Sequence, residues 1–298
     1  MSLLGYVRLI RPSHAIFSVI AVALGAYVGV VLGGDAHMDL FIPEVAFAGL
    51  VTLLIMSGGF VINNYYDMNI DRANNRKSPI PDDVSPKHAF SVGYAMLTFG
   101  IISCAILLNV VALALAVCVA LMVDFYSRVL KRYHTIWGNL ATSIATSITY
   151  VFGWAAVLTR PTPQLLIALA SMFTITLIAT LAREFIKGID DLNGDQEFEI
   201  EGLVAKVGPW RTSLISLGLF TLAMAMSLIP YAFHVFGIPY LVLMMSVNIT
   251  ALLATVFLLF KIRVSANPRV HSAYAHKVKN AILCAMAFGI VAFGVGLL

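Results

Sequence analysis

Long apolar runs alternate with short polar segments along the whole 298-residue chain. Each run is close to the roughly 20 residues that an α-helix needs to cross a bilayer. The runs do not alternate as barrel strands do, and backbone groups in lipid must be hydrogen-bonded within the segment, so helices are predicted. The boundary between the third and fourth runs depends on Asn109 alone. The nine predicted spans are approximately 14–32, 44–62, 89–108, 109–127, 136–157, 164–185, 212–230, 237–260 and 277–297.

Composition points to lipid as the main solvent of the chain. Hydrophobic residues make up 60% of the sequence and charged residues 11%, whereas a soluble domain carries about 25% charged residues. We therefore predict an all-α membrane protein, with about nine transmembrane helices in a bundle around a central cavity and with cytoplasmic Asp-rich loops. Residues 1–298 are predicted to form a single membrane domain.

The distribution of basic residues predicts the orientation. With nine spans, all but Arg160 of the 19 Lys and Arg residues fall in one set of loops or at its membrane border. Because Lys and Arg are enriched on the cytoplasmic side, we predict a multi-pass protein of the cell membrane with a cytoplasmic N-terminus and an external C-terminus. The net charge of +4 needs no nucleic-acid partner, and no obligate protein partner is evident.

Acidic residues are concentrated after the second and the sixth spans. In the first segment Asp67 and Asp71 are four residues apart, and Asn63 precedes Asp67 by the same interval. In the second segment Asp191 and Asp195 have this spacing. On a helix the spacing places both carboxylates on one face, where they repel each other unless a cation compensates them.

The two acidic pairs also match each other in position. Asp67 is as far from Asp191 as Asp71 is from Asp195. This favours two related halves, roughly 1–135 and 136–298, each carrying one acidic segment on the cytoplasmic side.

Carboxylate and amide oxygens suit Mg²⁺, which takes one or two carboxylates together with phosphate oxygens of a substrate. Basic side chains close to the acidic segments could hold the remaining phosphate charge. The sequence therefore predicts a Mg²⁺-bound diphosphate at the cytoplasmic face. The basic candidates are Arg72, Arg76, Lys77, Lys131 and Lys187.

These motifs resemble those of the UbiA superfamily of intramembrane prenyltransferases. Asn63–Asp71 is similar to the N-D-x-x-D-x-x-x-D motif of the superfamily, and Asp191 with Asp195 is similar to its D-x-x-x-D motif. Tyr126–Arg132 is similar to the Y-[ST]-x-x-L-K-R loop, and Arg11-Pro12 to the R-P before the first helix.

Within the superfamily, Arg76–Pro81 and Arg183–Asp195 resemble the corresponding stretches of the archaeal ether-lipid enzymes. This resemblance implies transfer of a geranylgeranyl group from its diphosphate to geranylgeranylglyceryl phosphate, so the partners are an isoprenoid diphosphate donor, a lipid-like glycerol phosphate acceptor and membrane lipids. Asn64, His14 and Gly188 depart from the usual residues. Asn64 removes one possible ligand but leaves Asn63, Asp67 and Asp71, and His14 leaves the acceptor less defined than the chemistry.

The resemblance also implies roles for individual residues. The expected catalytic residues are Asp67, Asp71, Asp191, Asp195 and Lys187, and the expected Mg²⁺ ligands are Asn63, Asp67, Asp71, Asp191 and Asp195. The expected substrate contacts are Arg72, Arg76, Lys77, Tyr126, Ser127, Lys131 and Lys187 for the diphosphate, and Arg11 and His14 for the acceptor.

Three other functions fit parts of the pattern. Carboxylates in membrane spans also mark ion pathways, so a cation or metabolite transporter is one alternative. A phosphatidyltransferase also uses Mg²⁺ and paired Asp residues, but the D-G-x-x-A-R arrangement is absent from this sequence. A prenyltransferase acting on an aromatic quinone, chlorophyll or haem precursor is the third.

Overall fold

The computed structural model describes residues 3–34, 38–73, 78–130, 135–197, 200 and 202–297. Within these ranges the regular structure is entirely helical. Its eleven α-helices are α1 (Leu3–Leu9), α2 (Pro12–Gly33), α3 (Ile42–Ala73), α4 (Pro86–Leu107), α5 (Val110–Phe125), α6 (Thr135–Val157), α7 (Pro163–Glu197), α8 (Leu203–Met226), α9 (Ile229–Ala232), α10 (Ile238–Val264) and α11 (Pro268–Val295). A 3₁₀ turn, Met38–Phe41, precedes α3, and a π-helical turn, Tyr126–Leu130, continues α5.

Nine of the helical segments in the described ranges are long and apolar enough to cross a membrane. This confirms the predicted number of spans, and the protein is a multi-pass membrane protein. Large apolar side chains lie exposed along the spans, as at Phe99, Leu121 and Leu253, each more than 60% exposed. Such surfaces suit lipid as the surrounding solvent, because soluble proteins rarely expose extended apolar patches.

The helix ends follow from local sequence. Proline, which lacks the amide hydrogen that the first helical turn leaves unbonded, begins α2, α4 and α11. Asn109 separates α4 from α5, because its Oδ1 accepts from the backbone N–H groups of Val111 and Ala112. Its Nδ2 donates to the carbonyl oxygen of Ala155 at 2.7 Å. The single polar residue between the third and fourth runs is therefore a helix cap.

The helices form two compact units. The first comprises residues 1–130 and 148–169, and in it α3 packs against α2, α4 and α5. The second comprises residues 131–147 and 170–298, and in it α10 packs against α8 and α11. The proposed relationship between halves 1–135 and 136–298 stays a prediction.

Two glycines allow α2 and α6 to approach within the first unit. A Cβ atom at Gly25 would overlap the backbone of Tyr150, and one at Gly153 would overlap the carbonyl of Val22. Small residues permit such backbone contact between membrane helices. The α2–α6 contact therefore has no room for any side chain at these two positions.

The Asp-rich residues differ from the expectation that they lie in loops, because they are helical. Asn63–Asp71 lies within the 32-residue α3, and Arg183–Asp195 lies within the 35-residue α7. At a rise of about 1.5 Å per residue, each helix is longer than the roughly 30 Å hydrocarbon core. Neither segment contains proline, so the helices continue past the apolar runs and carry the acidic residues at their C-terminal ends.

Candidate active site

The first acidic segment occupies the last turns of α3. Asp67 and Asp71 are buried, with 3% and 7% of their surface exposed. Asn63 Nδ2 donates to Asp67 Oδ2 at 2.7 Å, as the four-residue interval on one helical face allows. The three predicted ligands of this segment therefore lie along one stripe of the helix.

In this segment, Asn63 Oδ1 is the atom best suited to be a ligand of a cation. It is buried and has no hydrogen-bond partner among the residues that the structure describes. Buried polar atoms are usually bonded, and an unsatisfied acceptor is costly. An oxygen atom beside a buried carboxylate offers the ligand chemistry of a hard divalent ion, so these residues fit Mg²⁺.

The position of the carboxylates at helix C-termini supports the same fit. Asp71 lies in the last turn of α3, and Asp195 lies in the last turn of α7. The carbonyl end of a helix carries partial negative charge, which disfavours a carboxylate there. A bound cation would offset this unfavourable interaction at the ends of α3 and α7.

Arg11 and His14 lie against the same part of α3. The Arg11 guanidinium lies 5.5 Å from the centre of the Phe60 ring, and the His14 ring meets Phe60 edge-on at 5.8 Å. Arg11 also donates to Asn64 Oδ1 at 3.4 Å. The structure thus places both predicted acceptor contacts one helical turn or less from the start of the first acidic segment.

The second acidic segment, on α7, contains a chain of charges. Glu184 is buried and accepts from Arg183 at 3.0 Å and from Lys187 at 3.3 Å. Asp191 is buried, whereas Asp195 is partly exposed. Lys187 keeps 28% of its side chain exposed, so one predicted phosphate contact lies at the surface of this segment while paired with Glu184.

A group of residues that sequence reasoning missed binds Asp190, the neighbour of Asp191. Lys279 donates to Asp190 Oδ2 at 2.5 Å, and His276 Nδ1 lies 3.1 Å from the same oxygen. Ser272 donates to the Asp190 backbone oxygen at 3.1 Å. All three partners are on α11. Their spacing in the sequence, at i, i+4 and i+7, indicates that the three side chains share one face of a helix. Nothing in the local sequence indicates which carboxylate that face contacts.

A second missed group surrounds Asp124 on α5. Tyr94 donates to Asp124 Oδ1 at 2.6 Å, and Arg128 pairs with Asp124 Oδ2. A carboxylate inside an apolar run was visible in the sequence, but its partner Tyr94 is on another helix. The pair with Arg128 lies at the start of the π-helical turn, a feature that is frequent at functional sites.

Tyr126 and Ser127 begin that turn, and their side chains differ in exposure and in hydrogen bonding. Tyr126 is partly exposed. Ser127 is 1% exposed, and its hydroxyl donates to the carbonyl oxygen of Val123 at 2.9 Å. A serine hydroxyl has one proton to donate, and in this conformation the helix backbone accepts it, so the role of Ser127 as a donor to the diphosphate stays a prediction.

Of the remaining candidates, Arg72 is exposed on α3. Arg76, Lys77 and Lys131 lie outside the described residues. Within the described ranges, no three side chains of His, Cys, Asp and Glu come close enough together to hold a metal ion. The structure therefore supports metal ligands within each acidic segment taken separately. Asn63 and Asp67 are the two candidate ligands whose geometry it defines best.

The fold and these features define a class of protein: a multi-pass, all-helical membrane protein in which two spans extend into carboxylate-bearing C-terminal ends. The chain belongs to the UbiA prenyltransferase family, whose pattern it matches over residues 22–280. It is therefore an enzyme of prenyl transfer, and the resemblance inferred from the motifs is confirmed.

Relatives and solved structures agree with this assignment. The chain is 33% identical to the digeranylgeranylglyceryl phosphate synthase of Saccharolobus solfataricus over 84% of each chain. A solved structure described as that of a digeranylgeranylglyceryl phosphate synthase in membranes is 26% identical, with a TM-score of 0.73 over 99% of this chain and 98% of the other. A UbiA homologue from Archaeoglobus fulgidus bound to DMAPP and Mg²⁺ has a TM-score of 0.63 at 15% identity, over 98% of this chain and 99% of the other.

Proposed function

We propose that this prenyltransferase moves a geranylgeranyl group from geranylgeranyl diphosphate to geranylgeranylglyceryl phosphate, which yields digeranylgeranylglyceryl phosphate for ether-lipid synthesis. The observation that carries the proposal is the similarity to the Saccharolobus solfataricus synthase, at 33% identity over 84% of both chains. The buried carboxylates of α3 and α7 agree with it, because they can bind divalent cations, whose positive charge a diphosphate leaving group requires.

The donor diphosphate would be bound through divalent ions. Asn63, Asp67 and Asp71 on α3, with Asp191 and Asp195 on α7, are the proposed ligands. When bound, Mg²⁺ supplies positive charge that offsets the negative charge developing on the departing diphosphate. The use of Mg²⁺ is supported by the buried Asn63 Oδ1 beside Asp67 and by the Mg²⁺ and DMAPP in the Archaeoglobus fulgidus homologue.

Basic and hydroxyl side chains would hold the remaining oxygens of the diphosphate. Arg72 is exposed at the end of α3, and Lys187 is partly exposed on α7. Tyr126 on the π-helical turn is a further donor. Arg76, Lys77 and Lys131 are assigned to the same role from their motifs.

The acceptor phosphate would be bound by Arg11 and His14. Arg11 contacts a neutral amide, Asn64, at a motif position where the family usually has Asp. Its positive charge is therefore not cancelled by that residue, which suits an anionic acceptor. The free glycerol hydroxyl then bonds to C1 of the geranylgeranyl group as the C1–O bond to diphosphate breaks, and the diphosphate takes the hydroxyl proton.

In the proposed orientation the acidic helix ends would lie at the cytoplasmic face of the cell membrane, with the N-terminus on that side and the C-terminus outside. Both substrates carry long isoprenoid chains, so they would reach the enzyme from the lipid phase. The proposal includes no protein partner.

The test is product formation by the purified protein in detergent or proteoliposomes. We expect geranylgeranyl diphosphate with geranylgeranylglyceryl phosphate to give digeranylgeranylglyceryl phosphate by mass spectrometry, with activity lost in EDTA and restored by Mg²⁺. Prenylation of 4-hydroxybenzoate alone would transfer the assignment to an aromatic acceptor. Uptake of labelled diphosphate or cation into vesicles without any prenylated product would favour a transporter.

A further inference from the structure

The C-terminal end of α7 is bound to the last described helix, α11, by a largely buried ion pair. Lys279 Nζ lies 2.5 Å from Asp190 Oδ2, and the two side chains are 11% and 10% exposed. His276 and Ser272 contact the same Asp190 side chain, at 3.1 and 3.2 Å. Arg183, two turns earlier on α7, donates from Nε to the Lys279 carbonyl oxygen at 3.3 Å. The two helices are thus joined at two levels.

Stability alone does not account for this ion pair. Removing two charges from water is costly, and an apolar pair of similar volume often stabilises a protein equally well. A largely buried pair does, however, restrict the relative orientation of its two helices, because a rotation of either helix would separate the two charges. Asp190 and Arg183 both contact α11, and these two contacts restrict the rotation of α7 about its own axis.

That rotation decides where the predicted ligands point. Each residue turns an α-helix by about 100°, so Arg183 lies about 20° from Asp190 around the axis. Lys187 follows at about 60° and Asp191 at about 100°. Glu184 and Asp195 complete the same stripe at about 120° and 140°. The stripe that carries Lys187, Asp191 and Asp195 therefore adjoins the edge of α7 that α11 holds.

We propose that Lys279 and Asp190 are positioning residues for the divalent-ion and diphosphate ligands of α7. They act by holding the helix end in the rotation that presents Asp191, Asp195 and Lys187 correctly. The inference rests on the proposed use of divalent ions. Residues that orient metal ligands typically contribute about 10–100-fold to metal affinity.

The sign of the effect separates positioning from simple electrostatics. Removing the Lys279 charge leaves the Asp190 carboxylate, one residue from Asp191, with less positive charge beside it, and by Coulomb attraction alone this would tighten binding of a cation. Positioning predicts the opposite, namely weaker binding. A measured loss of affinity therefore cannot come from the charge change itself.

The experiment uses the full-length protein in detergent and Mn²⁺ as the probe, with binding followed by electron paramagnetic resonance in the absence of substrate. We expect Lys279→Met to raise the Mn²⁺ dissociation constant about 10–100-fold and to raise the KM for geranylgeranyl diphosphate more than it lowers kcat. Lys279→Arg, which keeps the charge, should restore both to the wild-type range. Lys277→Met, on an exposed position of the same helix, is the matched control and should change neither.

The double variant Asp190→Leu/Lys279→Met separates orientation from stability. It removes both buried charges, so its melting temperature should recover while its Mn²⁺ affinity stays low. Wild-type Mn²⁺ affinity in Lys279→Met, or in the double variant if the single one does not fold, would overturn the inference. A wild-type protein that binds no Mn²⁺ and forms no prenylated product would instead overturn the proposed function.

Discussion

Replacing Asn63 with leucine tests the metal assignment at the position where the structure defines it best. Leucine is close to asparagine in size but has no ligand oxygen. In the metal-free protein the change removes the 2.7 Å hydrogen bond to Asp67, which contributes about 1.5–3 kcal/mol because the acceptor is charged. It also removes a buried oxygen without a partner in the described structure, which relieves a cost of about 1–3 kcal/mol. The two terms oppose each other, so the net loss should not exceed about 2 kcal/mol.

The substitution should also reduce the stabilisation that Mg²⁺ adds to the folded state. A ligand present at 100 times its dissociation constant stabilises the folded state by about 2.7 kcal/mol. If the loss of Asn63 Oδ1 weakens binding 10-fold, that stabilisation falls to about 1.4 kcal/mol, and if 100-fold, to about 0.4 kcal/mol. The substitution should therefore remove about half of the Mg²⁺-induced stabilisation at a 10-fold weakening and most of it at a 100-fold weakening.

The assay is thermal unfolding in detergent, followed by tryptophan fluorescence across a Mg²⁺ titration. Asn64→Leu is the matched control, since the Asn64 side chain binds the Phe60 carbonyl and Arg11. The control should keep the Mg²⁺-dependent shift in melting temperature. If Asn63→Leu keeps the full shift as well, Asn63 is not a ligand and its buried oxygen needs another explanation.

Three further predictions address the carboxylates, the acceptor contact and the fold. Asp67→Ala and Asp191→Ala should each abolish product formation while the protein remains monodisperse in detergent, and near-wild-type turnover in either would remove that residue from the metal site. Arg11→Gln should raise the KM for a phosphate-bearing acceptor at an unchanged KM for the donor, and equal changes in both would argue against an acceptor contact. Gly153→Ala should lower the yield of folded protein, because its Cβ would overlap the α2 backbone, whereas Gly218→Ala has open space around it and should be tolerated, as size-exclusion chromatography would show.

The sequence by itself determined the class of protein and the identity of the main candidates. Nine spans follow from hydrophobic length, which is a local property that lipid imposes on any helix. The i, i+4 spacing of Asp67 with Asp71 and of Asp191 with Asp195 is equally local, and it required only that the segments be helical. The structure confirms the spans and the helices, although it extends α3 and α7 through residues that were expected in loops.

Contacts between distant residues were decided by the tertiary structure. Asp190 and Lys279 are 89 residues apart, and Asp124 and Tyr94 are 30 apart, so no local pattern could pair them. The same holds for the Gly25 and Gly153 contacts, which depend on how closely two helices cross. Hydrophobicity places a residue at a depth in the membrane, but the direction in which its side chain points depends on helix rotation and packing, and these arise only when the whole chain folds.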